Sequence, residues 1–211
     1  MRIIVERIPN KPINSNSFVV YSEANSSCIV IDPGSEDSAD LITFINHKSL
    51  LPEYIILTHE HFDHIWGVNK LKETFDSKIV CSTDCAMKIL DKKKNMSVFY
   101  NQVGFETYPA DILIDDENNC LSWNGTQLEF ILTPGHTNAS ICILINNNLF
   151  VGDTIIKNIE TVTKLPGGNK SILKDSLSHL HEKFSGKQIK IYSGHGDSFW
   201  FDEVKIKDYY K

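Results

Sequence analysis

The sequence predicts a mixed α/β fold of the α+β kind, on three observations. Short apolar runs rich in β-branched residues recur along the chain, bounded by Pro, Gly and Asn, which is the pattern of buried strands. Between several of them lie stretches whose apolar residues return at helical spacing. Several of the strand-like runs also end directly on His or Asp, so ligand-type side chains gather at strand ends.

Arg2 to Ile8, Ser17 to Tyr21 and Cys28 to Ile31 read as strands, with Asn25-Ser26 turning between the last two. Asp32-Pro33-Gly34 ends the third, because Pro and Gly both interrupt a ladder. Asp37 to Asn46 is helical in period through Ala39, Leu41, Ile42 and Ile45. Pro52 closes that connection, and Tyr54 to Leu57 forms the next strand. A helix is expected over Ile65 to Phe75, then a short strand over Lys78 to Cys81 and a helix over Thr83 to Leu90. Asp91 to Asn119 is the least regular stretch, mixing Phe99, Tyr100, Phe105 and Tyr108 with polar residues and Pro109. Such a segment is expected chiefly to cover the core edge, with a lid or substrate wall as the alternative. Cys120 to Trp123 and Thr126 to Leu132 form a hairpin across Asn124-Gly125, the preferred pair for a two-residue turn. Ser140 to Ile145 and Leu149 to Val151 form another across Asn146-Asn147-Asn148. A last helix shows Leu173, Leu177, Leu180 and Phe184 on one face, and the strand Gln188 to Tyr192 follows.

The chain is organised around Thr58-His59-Glu60-His61-Phe62-Asp63-His64, which sets three imidazoles and two carboxylates within six residues. His59 and His61 are two apart and share one side of an extended chain. Asp63 and His64 come where the chain bends into a helix and can face a second point. Protonated, these rings would repel one another, and buried and neutral they would need partners; metal binding accounts for them better than chance. His136, Asp153 and His195 each follow an apolar strand, with a glycine directly before. His47, His179 and His181 have no such neighbours and are expected to face solvent.

With 211 residues and 41% apolar content, the chain suits one large domain, residues 1–211. The net charge of −6 argues against a nucleic-acid partner, which demands a basic face. Lys92-Lys93-Lys94 reads as a solvated helix end. Met1 to Ile8 carries Arg2, Glu6 and Arg7, unlike a signal peptide, and no apolar run approaches the roughly 18–20 residues of a membrane span. Five scattered cysteines suit a reduced, cytoplasmic chain. Cys28, Cys120 and Cys142 lie in strand-like runs and are expected in the core, and Cys81 and Cys85 lack a second pair for structural zinc.

The motif His-x-His-x-Asp-His at 59–64, followed in order by His136, Asp153 and His195, resembles the metallo-β-lactamase superfamily. The resemblance runs from Asn16-Ser17-Phe18 and Asp32-Pro33-Gly34 to Gly194-His195-Gly196. It implies an αββα sandwich of two mixed sheets flanked by helices, with the site at one edge. It also implies that His59, His61 and His136 bind one metal, that Asp63, His64 and His195 bind a second, and that Asp153 bridges them. Phe150-Val151-Gly152-Asp153-Thr154 and Leu165-Pro166-Gly167-Gly168-Asn169 look like the glyoxalase II-like branch. Two departures stand out. Thr161-Val162-Thr163-Lys164 replaces the Gly-Arg-x-Asp usual in those relatives, and little chain follows His195 where full glyoxalase II has a glutathione-holding helical domain.

The implied reaction is hydrolysis by a dinuclear centre. Two divalent cations, zinc first and iron or manganese next, share a hydroxide that attacks a carbonyl, with Asp63 orienting it and accepting its proton. A thiol leaving group has a pKa of about 8.5 and departs without a separate acid, so a small-molecule thioester or reactive ester is the expected substrate. The alternatives are an iron-dependent persulfide dioxygenase, in which two His and an Asp hold one iron, and a lactonase or phosphodiesterase of the same fold. A non-catalytic metal-binding module is the reading outside enzymes.

Overall fold

The computed structural model describes residues 2–203. The described residues fall into two units, one ending at Ile114 and the other beginning at Asp115, and each is built on one mixed sheet of six strands.

In the first unit, β1 (Ile4–Pro9), β2 (Asn16–Tyr21) and β3 (Ser27–Ile31) run antiparallel in sequence order. From β3 onward, β4 (Leu51–Ile56), β5 (Lys78–Ser82) and β6 (Ile112–Ile114) run parallel. Parallel neighbours need crossovers, and helix α1 (Ala39–His47) supplies the first. β2 is buried along its whole length and β3 nearly so; strands covered on both faces read as continuous apolar runs rather than alternating ones. Pro52 lies within β4 rather than before it, at its second residue, where a ladder tolerates a missing donor.

The single helix expected over Ile65 to Phe75 is instead two, α2 (Phe62–Ile65) and α3 (Val68–Phe75). The break falls at Trp66-Gly67, where the Gly67 N–H donates to the Pro33 carbonyl at 2.7 Å. Helical spacing of apolar residues survives such a bend, so the period alone could not reveal it. After α4 (Thr83–Lys88), capped by Ser82, the irregular stretch contains a short helix α5 (Ser97–Asn101) as well as β6. Its rings pile onto the motif helix. Phe62 stacks on Tyr100 at 5.0 Å between centroids, and Trp66 on Phe105 at 5.7 Å. The segment therefore covers this edge, while Phe99 and Val103 stay exposed.

Asp111 precedes β6, where it accepts from the Ile79 N–H at 2.7 Å and from Lys72 Nζ at 2.9 Å. Burial pushes its carboxyl up, but these two donors outweigh burial and hold it below the usual carboxylate range. A lowered carboxylate pKa contributes stability above the unfolded value of about 3.9, and that contribution disappears as pH falls through the folded value. The side chain is 37% exposed, so solvent screens the pair and its contribution stays at or below about 1 kcal/mol. Asp111→Asn is expected to lower stability slightly at neutral pH and not at all in strong acid. Urea unfolding at both pH values checks this, and an equal loss at both would refute it.

In the second unit, β7 (Cys120–Trp123) and β8 (Thr126–Leu132) pair with Trp123 opposite Thr126, so Asn124-Gly125 is the expected two-residue turn. β9 (Ile141–Ile145) and β10 (Asn148–Gly152) pair with Ile145 opposite Asn148, which shortens that turn to Asn146-Asn147. β11 (Lys190–Ser193) runs parallel to β10, and an unexpected edge strand β12 (Phe199–Trp200) follows it. Helix α6 (Lys170–Phe184) begins at Asn169, whose side chain accepts from the Ser171 and Ile172 N–H groups. It buries Leu173, Leu177, Leu180 and Phe184 in one cluster with Ile131, Val151 and Ile191. Cys28 and Cys142 are core residues, but Cys120 is exposed: it stands on the outward face of an edge strand, which an apolar run does not show. His47, His179 and His181 are exposed, as expected. Among the described residues no helix is long and apolar enough to cross a membrane.

Candidate metal centre

In the first unit the parallel register sets Ile31 beside Ile56, so β3 and β4 release Asp32 and the His motif next to each other. Asp32 is buried and takes a left-handed backbone, φ 51°, which Asp tolerates better than most residues. Its Oδ1 accepts the Thr58 N–H at 2.8 Å, and its Oδ2 accepts the Thr58 hydroxyl at 2.6 Å. His64 Nδ1 lies 3.1 Å from the same Oδ2, and His59 Nδ1 lies 3.0 Å from Thr58 Oγ1. The tautomers follow from these partners. A carboxylate can only accept, so His64 carries its proton on Nδ1. The Thr58 hydroxyl gives its proton to Asp32 and therefore accepts from His59 Nδ1. Both rings then present Nε2 as the electron-pair donor, the arrangement that outer carboxylates impose on metal-binding histidines. The His59 ring centroid is 4.8 Å from that of His61 and 4.3 Å from that of His64, and Asp63 Oδ2 lies 3.6 Å from His64 Nε2. All four predicted residues of the motif thus converge.

The backbone of Asp63 is fixed separately. Ser15 donates its hydroxyl to the Asp63 carbonyl at 2.5 Å, and Asn10 donates to Ser15 Oγ at 2.9 Å. Ser17 donates to the Asp32 carbonyl at 2.7 Å. A buried polar web under β1 and β2 therefore holds both the Asp32 turn and the Asp63 turn.

In the second unit His136 follows β8 on a loop pressed against α6. Gly135 has φ 144°, and a Cβ there would stand 2.3 Å from Leu173 Cα. The Gly135 carbonyl accepts from the Asn169 N–H at 2.8 Å. His136 Nδ1 donates to the Val162 carbonyl at 2.7 Å, which again turns Nε2 toward a ligand role. Asp153 directly follows β10, and His195 lies two residues beyond β11. Gly194 N–H donates to the Gly152 carbonyl at 2.7 Å, tying these two strand ends together. Asp153 Oδ2 lies 3.7 Å from His136 Nε2 and 3.5 Å from His195 Nε2. The three predicted residues of this unit therefore also converge.

The segment 161–164 departs in side chains from the resembled family, yet it serves this site through other atoms. Val162 fixes His136 by its carbonyl, and the Thr161 hydroxyl donates to the Asp153 carbonyl at 3.1 Å. Sequence reasoning missed Asp32, Thr58, Ser15, Asn10 and Val162 as contributors.

Imidazole nitrogens and carboxylate oxygens suit a divalent first-row cation, and His59, His61, Asp63 and His64 of the first unit and His136, Asp153 and His195 of the second are among the residues whose ligand atoms could hold one. Thiolates do not enter the set. Burial pushes the Cys142 thiol up to about 12. Burial also pushes Cys85 well above the ordinary thiol range, helped by a hydrogen bond with Cys81 and by the charges of Glu60 and Asp32. The side chains of His64 and His136 are 0% and 4% exposed, against 14% for Asp63, 12% for Asp153 and 28% for His195.

Comparison with known proteins agrees with the architecture. The family model of the metallo-beta-lactamase superfamily matches residues 10–195. A probable metallo-hydrolase of Bacillus subtilis, YqgX, is 30% identical over 90% of this chain and 89% of its own length. A hydroxyacylglutathione hydrolase of Klebsiella pneumoniae is 32% identical over 80% of this chain, which spans 55% of that enzyme. The solved structure of the BLEG-1 B3 metallo-beta-lactamase superposes with a TM-score of 0.88 at 28% identity, over 95% of each chain.

Proposed function

Because the chain belongs to the metallo-β-lactamase superfamily, we propose that it is a metal-dependent hydrolase of small-molecule thioesters or reactive esters. In this reading His59, His61 and His136 hold one divalent cation, Asp63, His64 and His195 hold a second, and Asp153 serves both. Zinc suits the donors best, with iron or manganese next. Such cations supply a Lewis acid for the substrate carbonyl and a water acidic enough to react at neutral pH. The chain's own residues set the rest. Asp32, Thr58 and Val162 hold imidazole protons on Nδ1, and Asp63, partly exposed, orients the attacking water and takes its proton at a carboxylate oxygen. A thiol of pKa about 8.5 leaves as the anion without a separate acid, whereas an amide nitrogen needs a proton before it departs. The hydroxyacylglutathione hydrolase among the relatives supports the same class.

One observation carries the reading: the Nδ1 atoms of His59, His64 and His136 are each engaged by a protein oxygen, at 3.0, 3.1 and 2.7 Å. That leaves Nε2 as the donor in all three. The test is a panel of acyl-thioesters, esters and lactones run with parallel elemental analysis. Turnover that is lost on chelation and restored by zinc is expected. A single iron per chain with oxygen uptake on persulfide and no ester or thioester turnover would overturn the proposal in favour of a dioxygenase.

A further inference from the structure

Glu60 stands between two of the metal-ligand histidines and is itself 1% exposed. The rings of His59 and His61 lie together, 4.8 Å between centroids, and the Glu60 carboxylate between them in sequence is engaged elsewhere. There Lys88, the last residue of α4, meets it: Nζ lies 2.5 Å from Glu60 Oε1, and the lysine side chain is only 16% exposed. Burying a carboxylate and an ammonium together is costly, and replacing such pairs by apolar residues is often neutral or better for stability. The pair is therefore poorly explained as a device for folding alone. Its position supplies another role. Asp32 and Thr58 secure the rings of His59 and His64 from the β3 side, but that clamp acts on imidazole nitrogens. The backbone between His59 and His61 is tied separately, through the Glu60 side chain, to a cation on α4.

We propose that Lys88 is a positioning residue for the metal centre, a strut that holds the His59-Glu60-His61 turn through its ion pair with Glu60. The inference rests on the metal-centre reading above, and its test needs no substrate. The full-length chain is stripped of metal, and zinc affinity is read by competition with a chromophoric chelator. Geometry is read from the visible spectrum of the cobalt-substituted protein. Lys88→Met is expected to weaken zinc binding about 10- to 100-fold, the usual effect of losing an outer support of a ligand, and to alter the cobalt spectrum. Lys88→Arg keeps the charge and the reach and is expected to retain affinity and spectrum. Should Lys88→Met not fold, Lys88→Gln replaces it, with the same expectation. A folded Lys88→Met or Lys88→Gln protein with wild-type affinity and spectrum overturns the strut, whatever its melting temperature. Wild-type protein that takes up neither zinc nor cobalt overturns the metal-centre reading itself and this inference with it.

Discussion

Replacing Asp32 with alanine is expected to destabilise the metal-free protein by about 4 kcal/mol or more and to weaken zinc binding by about 100-fold. One buried carboxylate accepts from the Thr58 N–H, the Thr58 hydroxyl and His64 Nδ1. Each buried donor stripped of its acceptor costs about 1–3 kcal/mol. Alanine at φ 51° adds about 1–2 kcal/mol of backbone strain. Against a total stability of about 5–15 kcal/mol, that is a large share. Asp32→Asn separates the two effects. Asn tolerates the left-handed backbone and keeps an acceptor for the Thr58 N–H, so the fold should survive with a loss of about 1–2 kcal/mol. Its amide, however, offers protons where Oδ2 accepted them. His64 Nδ1 must then accept, which moves the ring proton to Nε2, the atom proposed to bind the metal. Zinc affinity should still fall about 10- to 100-fold. Urea unfolding of the metal-free protein and chelator competition measure the two quantities. An Asn variant that binds zinc as tightly as the wild type would show that Asp32 does not set the His64 tautomer.

Asp32 also shows where reading the sequence stops. The candidate ligands are legible as a pattern because His59, His61, Asp63 and His64 sit within one short stretch of chain, and because His136, Asp153 and His195 follow recognisable strands. In the sequence Asp32 reads as the start of a strand-breaking Asp-Pro-Gly that also belongs to the family resemblance, with no role of its own. Its role comes from a residue 26 positions away, and it exists only because β3 and β4 pair in parallel with Ile31 beside Ile56. Val162 was less visible still. It acts through its carbonyl, an atom every residue has, so no side-chain pattern could single it out. The fold shows the same boundary. Long periodic segments such as Lys170–Phe184 declare themselves. A three-residue strand at Ile112–Ile114, a five-residue helix at Ser97–Asn101 and a two-residue edge at Phe199–Trp200 are too short for any period to develop. Their places are set by what they pack against: the rings of Tyr100 and Phe105 on Phe62 and Trp66, and β6 on the edge of β5.

Gly34→Ala should damage the site from a position that contributes no ligand. A Cβ at residue 34 would stand 1.8 Å from the Asp63 carbonyl oxygen and 2.6 Å from Asn10 Nδ2. The nearer atom is backbone, so no rotamer change relieves the contact. The chain must part there by roughly 1–1.5 Å to restore van der Waals distance. The strain of overpacking of this kind is about 1–3 kcal/mol and occasionally more, which the fold can absorb. The site cannot absorb the displacement as easily. The Asp63 carbonyl is the atom that Ser15 holds, and the Asp63 carboxylate lies 3.6 Å from His64 Nε2. A misplacement of about 1 Å at a catalytic group can cost about 100-fold in rate. The expected result is therefore a protein that still folds, with kcat/KM down about 100-fold on whichever substrate the wild type turns over. The loss should fall in kcat more than in KM, because the proposed role of Asp63 is to act on the water rather than on the substrate. Circular dichroism melting alongside steady-state kinetics makes the comparison. A variant that melts several degrees lower but keeps full kcat would mean that Asp63 is not held in place by this turn.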